Sequence, residues 1–322
     1  MAADSLHPNS IEISDVARVD GGLPITSLPE GLFLLILEHC PELRRAGNEA
    51  VPIAINDVLV RLAERGLASL VVEAMPFSNP EHDRSAAIRR AARHGRADCV
   101  KALLSANPPY EHLASPLADA ADLGHLECAA LLAPRVPALE CRAALAAAAG
   151  SGHVELLSML IDRLSTPDGG QPCFSDSLLS LLELGYTQAL QEAALYGHVE
   201  CARILAPLSN PMLDDSLALR WAANIGSSEI VELLIPRSDP SAHNWTALTW
   251  AIDSGRDSCV NLLLPLFEPS DQIPDLMALA RIAQGDKMDT AASFLIAHAE
   301  AEAIAKSALA SPEAPPQGKL RL

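Results

Sequence analysis

The sequence predicts an all-α protein in which one short helix pair is repeated in series, a helical solenoid with short proline-bounded loops. Three sets of residues carry this expectation. Glycines Gly66, Gly95, Gly124, Gly152, Gly197, Gly226 and Gly255 are spaced by 29, 29, 28, 45, 29 and 29 residues. Ahead of each, seven residues upstream, stands Leu59, Ile88, Leu117, Leu145, Leu190, Leu219 or Leu248. Alanine pairs lie four and three residues before five of them, at Ala91/Ala92, Ala120/Ala121, Ala148/Ala149, Ala193/Ala194 and Ala222/Ala223. Prolines follow in the same phase, ten residues on at Pro76, Pro134, Pro207, Pro236 and Pro265, and fourteen on at Pro80, Pro109, Pro211, Pro240 and Pro269. Columns that stay in phase across residues 55–270 are the signature of a repeat array.

The segment Ala189 to Pro211 shows the logic of one unit. Leu190, Ala193 and Ala194 fall at i, i+3 and i+4, one apolar stripe of a first helix. The paired alanines let a second helix approach closely. Gly197 provides a position that takes positive φ, as a tight helix-to-helix turn requires. Val199, Cys201, Ala202, Ile204 and Leu205 then line a second helix, which Pro207 ends.

Ser115-Pro116-Leu117, Ala120-Ala121, Gly124-His125 and Leu131-Leu132 together resemble the ankyrin pattern T-P-L-H-x-A-A-x-x-G-H. The resemblance covers residues 55–270 and implies stacked helix pairs that bind a protein partner. Ankyrin repeats usually run to 33 residues with a projecting β-hairpin, whereas here the period is 29 and the link is Pro236-Arg237-Ser238-Asp239-Pro240. Proline withholds N–H groups that a hairpin needs, so almost no strand is expected. The resemblance also implies that His125, His153 and His198, one residue after a turn glycine, bridge backbone groups between neighbours. It places the partner-binding surface at the two residues before each glycine: Arg93/His94, Asp122/Leu123, Gly150/Ser151, Leu195/Tyr196, Asn224/Ile225 and Asp253/Ser254. These pairs differ in every repeat, while the frame positions do not. His243, Asn244 and Trp245, in the last well-formed link, extend the expected patch.

In chain order, residues 1–24 read as a disordered N-terminus, closed by Gly21-Gly22 and Pro24. Residues 25–54 read as a helical cap, with Ser27 as N-cap, Pro29 in the first turn and a Leu32/Ile36 apolar face; a second short helix is expected over 41–50. Leu28, Pro29, Leu32, Ile36 and Leu37 are similar to the start of an F-box. That resemblance implies docking on a Skp-type adaptor of a cullin ubiquitin ligase, so that the chain would be a substrate receptor in a eukaryotic cytosol, its own or that of a bacterial effector's host. The alternative is a helix that simply covers the exposed end of the array. Residues 163–186 interrupt the period with a loop, Thr166 to Pro172, and an extra helical turn or more over Ser177–Leu182. A weaker helical cap is expected over 271–310 and a disordered tail over 311–322.

Composition narrows the function further. The net charge is −18, which disfavours nucleic acid as the main ligand, because phosphate binding needs clustered Lys and Arg. The surface instead suits a basic partner or simply keeps an Ala/Leu-rich array in solution. Of seven cysteines, Cys99, Cys128, Cys201 and Cys259 share one column. Neighbouring helices lie about 8–10 Å apart, beyond the ~7 Å Cα separation of a disulfide, so small buried hydrophobes in a reducing compartment are expected. The polar N-terminus lacks a basic start and an apolar run, and Leu32–Leu37 is too short to span a bilayer. A cytoplasmic monomer is the expectation, with no membrane contact, no cofactor and no metal site. Phosphate loops, a Gly-x-Ser-x-Gly elbow and His-Glu-x-x-His are absent from the sequence, so no enzymatic activity is expected. Trp221 and Trp250 occupy equivalent positions of adjacent repeats, where they either stack as core or form an aromatic patch on a binding face.

Overall fold

The computed structural model describes residues 28–39, 55–78, 84–165 and 176–267, together with 280, 283, 292–297, 299–300 and 303–304. The expected N-terminal segment, the helix over 41–50 and the tail lie outside these residues, as does most of the expected C-terminal cap; of that cap, Ala280, Ala283, Ala292 and Leu295 are buried. The chain forms two compact units, residues 1–144 and 145–322. Among the described residues every regular element is helical.

The first unit opens with α1 (Glu30–His39). Pro29 precedes this helix rather than sitting in its first turn: its carbonyl accepts the Phe33 N–H at 2.9 Å, the acceptor role open to a residue without an N–H of its own. Three helix pairs follow: α2 (Ile55–Arg65) with α3 (Ala68–Ala74), α4 (Arg84–Arg93) with α5 (Ala97–Leu104), and α6 (Ala114–Asp122) with α7 (Leu126–Leu132). Inner helices pack in series, α2 on α4 and α4 on α6, and outer helices likewise, α3 on α5 and α5 on α7. The first outer helix, α3, is covered by α1, whose Leu28, Leu32 and Ile36 side are buried.

The boundary between the units falls within α8 (Arg142–Gly150). The second unit continues with α9 (Val154–Ser165), α10 (Asp176–Tyr196), α11 (Val199–Leu205), α12 (Leu213–Ile225), α13 (Ser228–Leu234), α14 (Ala242–Asp253) and α15 (Asp257–Leu263). Here α10, α12 and α14 pack in series, and so do α9, α11, α13 and α15. The interruption of the period is described in its helical part alone, the expected loop over 166–172 lying outside the described residues. Its helical part is continuous with the inner helix of the fifth repeat, so that α10 runs unbroken for 21 residues. Gly185 does not end it, and the Ser165 hydroxyl at the close of α9 bonds to Tyr186 beside it.

One turn joins the two helices of each repeat. All seven turn glycines have φ between +65° and +92°. The residue after the glycine donates its N–H to the first alanine of the pair, as in Arg96 to Ala91 at 2.8 Å, His198 to Ala193 at 2.8 Å and Ser227 to Ala222 at 3.0 Å. This six-to-one bond closes the inner helix, and the same residue's carbonyl starts the outer helix, as when His125 accepts from Ala129 at 3.0 Å. Four of the five +10 prolines, Pro76, Pro134, Pro236 and Pro265, sit in the first positions of short 3₁₀ turns, Met75–Phe77, Ala133–Arg135, Ile235–Arg237 and Leu264–Leu266, where a missing N–H costs nothing; Pro207 lies in a turn after α11. Among the described residues these turns replace any hairpin.

Two details of the links have no sequence signal of their own. Asp214–Ser216 and, 29 residues later, His243–Trp245 each form a left-handed turn, with φ between +52° and +59°. Thr187 and Ser216 are buried at one repeat position, where their hydroxyls accept the backbone N–H of Asn210 at 3.0 Å and of Asp239 at 2.9 Å. They tie the link that follows each repeat back to its inner helix.

Candidate functional site

On an inner helix the alanine pair points into the core, so residues one and two positions before the turn glycine point away from it. Residues five before the glycine join them, because i and i+4 share a face. This geometry makes a stripe along successive inner helices whose side chains are not bound by the packing rule.

Crossing residues hold the stripe in place. The His125 ring nitrogen Nε2 lies 3.0 Å from the carbonyl of Arg93, one repeat back. Arg96 and Arg256 do the same with guanidinium groups, donating to the carbonyls of Glu64 at 3.3 Å and Asn224 at 3.2 Å. Each bridge passes over the preceding turn glycine: a Cβ on Gly95 would stand 2.8 Å from His125 Nδ1, and one on Gly226 2.7 Å from Arg256 Cδ. Gly66, Gly95, Gly152 and Gly226 are thus required twice, by positive φ and by the side chain that crosses them, whereas Gly197 and Gly255 are required by φ alone. The sequence showed the histidines of this column but not that arginine fills the same role. Nor did it show the second latch, in which Arg135 donates to the carbonyl of Leu104 and Arg237 to that of Ala206, both at 3.1 Å. Each caps the outer helix one repeat back.

In the first unit the stripe carries Arg93, His94, Asp122 and Leu123, all exposed, with Leu123 showing 46% of its surface. His94 Nε2 lies 3.3 Å from Glu64 Oε1, and Arg89 donates to Asp119 at 2.6 Å between adjacent inner helices. In the second unit it carries Leu195, Tyr196, Asn224, Ile225 and Asp253. Tyr196 is 59% and Ile225 43% exposed, while Leu195 and Asn224 are half-buried. The Tyr196 ring faces Gly150, whose added Cβ would meet it at 3.5 Å. Asn224 Oδ1 accepts the Ser254 hydroxyl at 2.8 Å, joining two repeats at the turn.

Trp245 departs from its expected place. It is 4% exposed and packs edge-to-face on Phe267, with ring centroids 5.2 Å apart. The reason is its column: Trp245 is the equivalent of Thr187 and Ser216, the buried start of the inner helix, and counting ten residues back from Gly255 would have found it. Trp221 and Trp250 belong to the stripe instead. Their centroids are 5.2 Å apart at 45°, both rings are half-buried, and the Arg220 guanidinium lies 5.7 Å over the ring of Trp250.

Of the F-box-like residues, Leu28, Leu32 and Ile36 are buried and Pro29 is exposed; the side chain of Leu37 lies outside the described residues. The exposed apolar groups of α1 are Leu34 and Leu35. Among the described residues no helix is long and apolar enough to cross a membrane, and no group of three or more His, Cys, Asp or Glu is placed to hold a metal ion.

Residues 190–274 match the family model described as ankyrin repeats (3 copies). These residues are ankyrin repeats. Among solved structures, the human ASB11 ankyrin repeat domain is similar at 18% identity over 59% of this chain and 95% of that chain, with a TM-score of 0.43. No curated protein matches the sequence. The matched ankyrin repeats are the fifth to seventh; the earlier four share their glycine column and their positive φ.

Proposed function

We propose that the chain is a protein-interaction scaffold and that its partner binds along the inner-helix stripe. One observation carries this reading: Tyr196 and Ile225 are largely exposed although the Ala193/Ala194 and Ala222/Ala223 pairs beside them have no exposed surface. A regular frame that presents irregular, partly apolar side chains is the content an interface uses. A photo-crosslinker at Ile225 should capture one defined protein from the native host extract, and Tyr196→Ala with Ile225→Ala should abolish that capture with the melting curve unchanged. Capture undiminished by the double substitution would refute the placement.

The exposed Pro29, Leu34 and Leu35 favour a second reading, in which α1 covers α3 with one face and docks a Skp-type adaptor with the other. Substituting Leu28 would unsettle the packing on α3, so the informative variant is Leu34→Glu with Leu35→Glu. A purified Skp-type adaptor is expected to co-elute with the native chain and not with this variant. Absence of co-elution with the native chain rules the reading out.

A further inference from the structure

We infer that the inner-helix stripe of the second unit takes a cationic segment of a protein partner, with an arginine or lysine side chain laid on the Trp221–Trp250 pair between Glu192 and Asp253. This inference rests on the interaction-scaffold reading and gives its partner a chemistry.

Glu192, Trp221 and Trp250 stand five residues before Gly197, Gly226 and Gly255, so they occupy one column on three inner helices packed in series. Asp253 lies three residues after Trp250 on the same helix, within reach of the same surface patch. Neither the Glu192 nor the Asp253 carboxylate has an ion-pair or hydrogen-bond partner among the described residues. The two indoles are close, tilted and half-buried, so that part of each ring remains exposed to solvent. A guanidinium already lies over one of them, that of Arg220 over Trp250, and its NH2 donates to the carbonyl of Asp214 at 2.7 Å. Aromatic faces flanked by unpaired carboxylates are the combination that holds ammonium and guanidinium groups.

The charge around the stripe selects the same occupant. Residues 176–267 carry eleven Asp and Glu against four Arg and no Lys, so an acidic segment would be repelled on approach. A purely apolar segment would cover Glu192 and Asp253 and leave buried charge uncompensated. A basic segment meets both the rings and the carboxylates.

The test uses the full chain and two synthetic peptides, one alternating arginine and glycine, the other its citrulline counterpart of the same shape without charge. Calorimetric titration should show the arginine peptide binding at least about tenfold more tightly than the citrulline peptide, and more weakly as salt rises. Trp250→Leu, and separately Glu192→Gln with Asp253→Asn, should each weaken the arginine peptide at least about fivefold. Glu232→Gln, an exposed acid on the outer helix α13, should leave it unchanged. Equal binding of the two peptides would mean an apolar occupant; equal loss with Glu232→Gln would mean diffuse attraction to an acidic surface; no binding would mean neither. Each of these overturns the inference. The scaffold reading survives them if crosslinking at Ile225 still captures a protein, and it falls alone if the arginine peptide binds as stated but no captured protein depends on Tyr196 and Ile225.

Discussion

Burial sets the chemistry of the cysteines that stand four residues after the turn glycines. Cys99, Cys128, Cys201 and Cys259 are buried and free, and loss of water around the thiolate pushes the thiols of Cys99, Cys128 and Cys201 up to about 11, with Cys259 shifted in the same direction. Burial also raises the Tyr186 phenol. An unfolded thiol ionises near 9, so above that pH the unfolded chain releases protons that the folded chain keeps. The folded state therefore loses stability as pH rises from about 9 towards 11, and is unaffected by these groups below that window. The urea midpoint should be flat from pH 7 to 8 and fall through this window, and Cys201→Ala should flatten the fall. At pH 8 the four thiols should resist alkylation in the folded chain and react once urea is added. An alkaline limb indifferent to Cys201→Ala would show that this thiol titrates as freely folded as unfolded.

At the scale of the element, the helix pair was legible in sequence because its requirements are local and chemical. A turn that needs positive φ selects glycine, a close helix–helix approach selects alanine, and a 3₁₀ turn accepts proline where no N–H is used. The fusion of residues 176–186 with the fifth inner helix was not legible, since these residues fall outside the repeat columns, whereas α10 runs unbroken from Asp176 to Tyr196. The left-handed turns at Asp214–Ser216 and His243–Trp245 gave no sign either, because no glycine marks them. Of the site, the exposed pairs and the buried place of Trp245 could be found by counting from the glycine, but the role of Trp221 with Trp250 needed the neighbouring repeat in place. Leu219 tests the element as a packing unit. It has no exposed surface and lies on α12, which packs on both α10 and α14. Leu219→Ala should cost about 2–5 kcal/mol and raise amide exchange in α10 and α14 as well as in α12. Exchange raised in α12 alone would show that neighbouring repeats do not share their stability.

For the whole molecule, stability built from neighbour contacts has a consequence for unfolding. In each unit the inner helices touch the next inner helix and the outer helices the next outer helix, the arrangement in which energy sums over repeats and their interfaces rather than over one core. Cooperativity in such arrays is limited, and different probes need not report one transition. The sequence supplies a probe of one region: all three tryptophans, Trp221, Trp245 and Trp250, lie in the sixth and seventh repeats. Tryptophan fluorescence therefore follows those repeats, while far-UV circular dichroism follows every helix in the chain. The two urea transitions should not coincide. Leu219→Ala, placed beside the tryptophans, should move the fluorescence midpoint further than the dichroism midpoint, because the repeats of residues 55–132 keep their own contacts. Superimposable curves that shift together in the variant would mean that the chain unfolds as one cooperative body, and the nearest-neighbour account of its stability would fail.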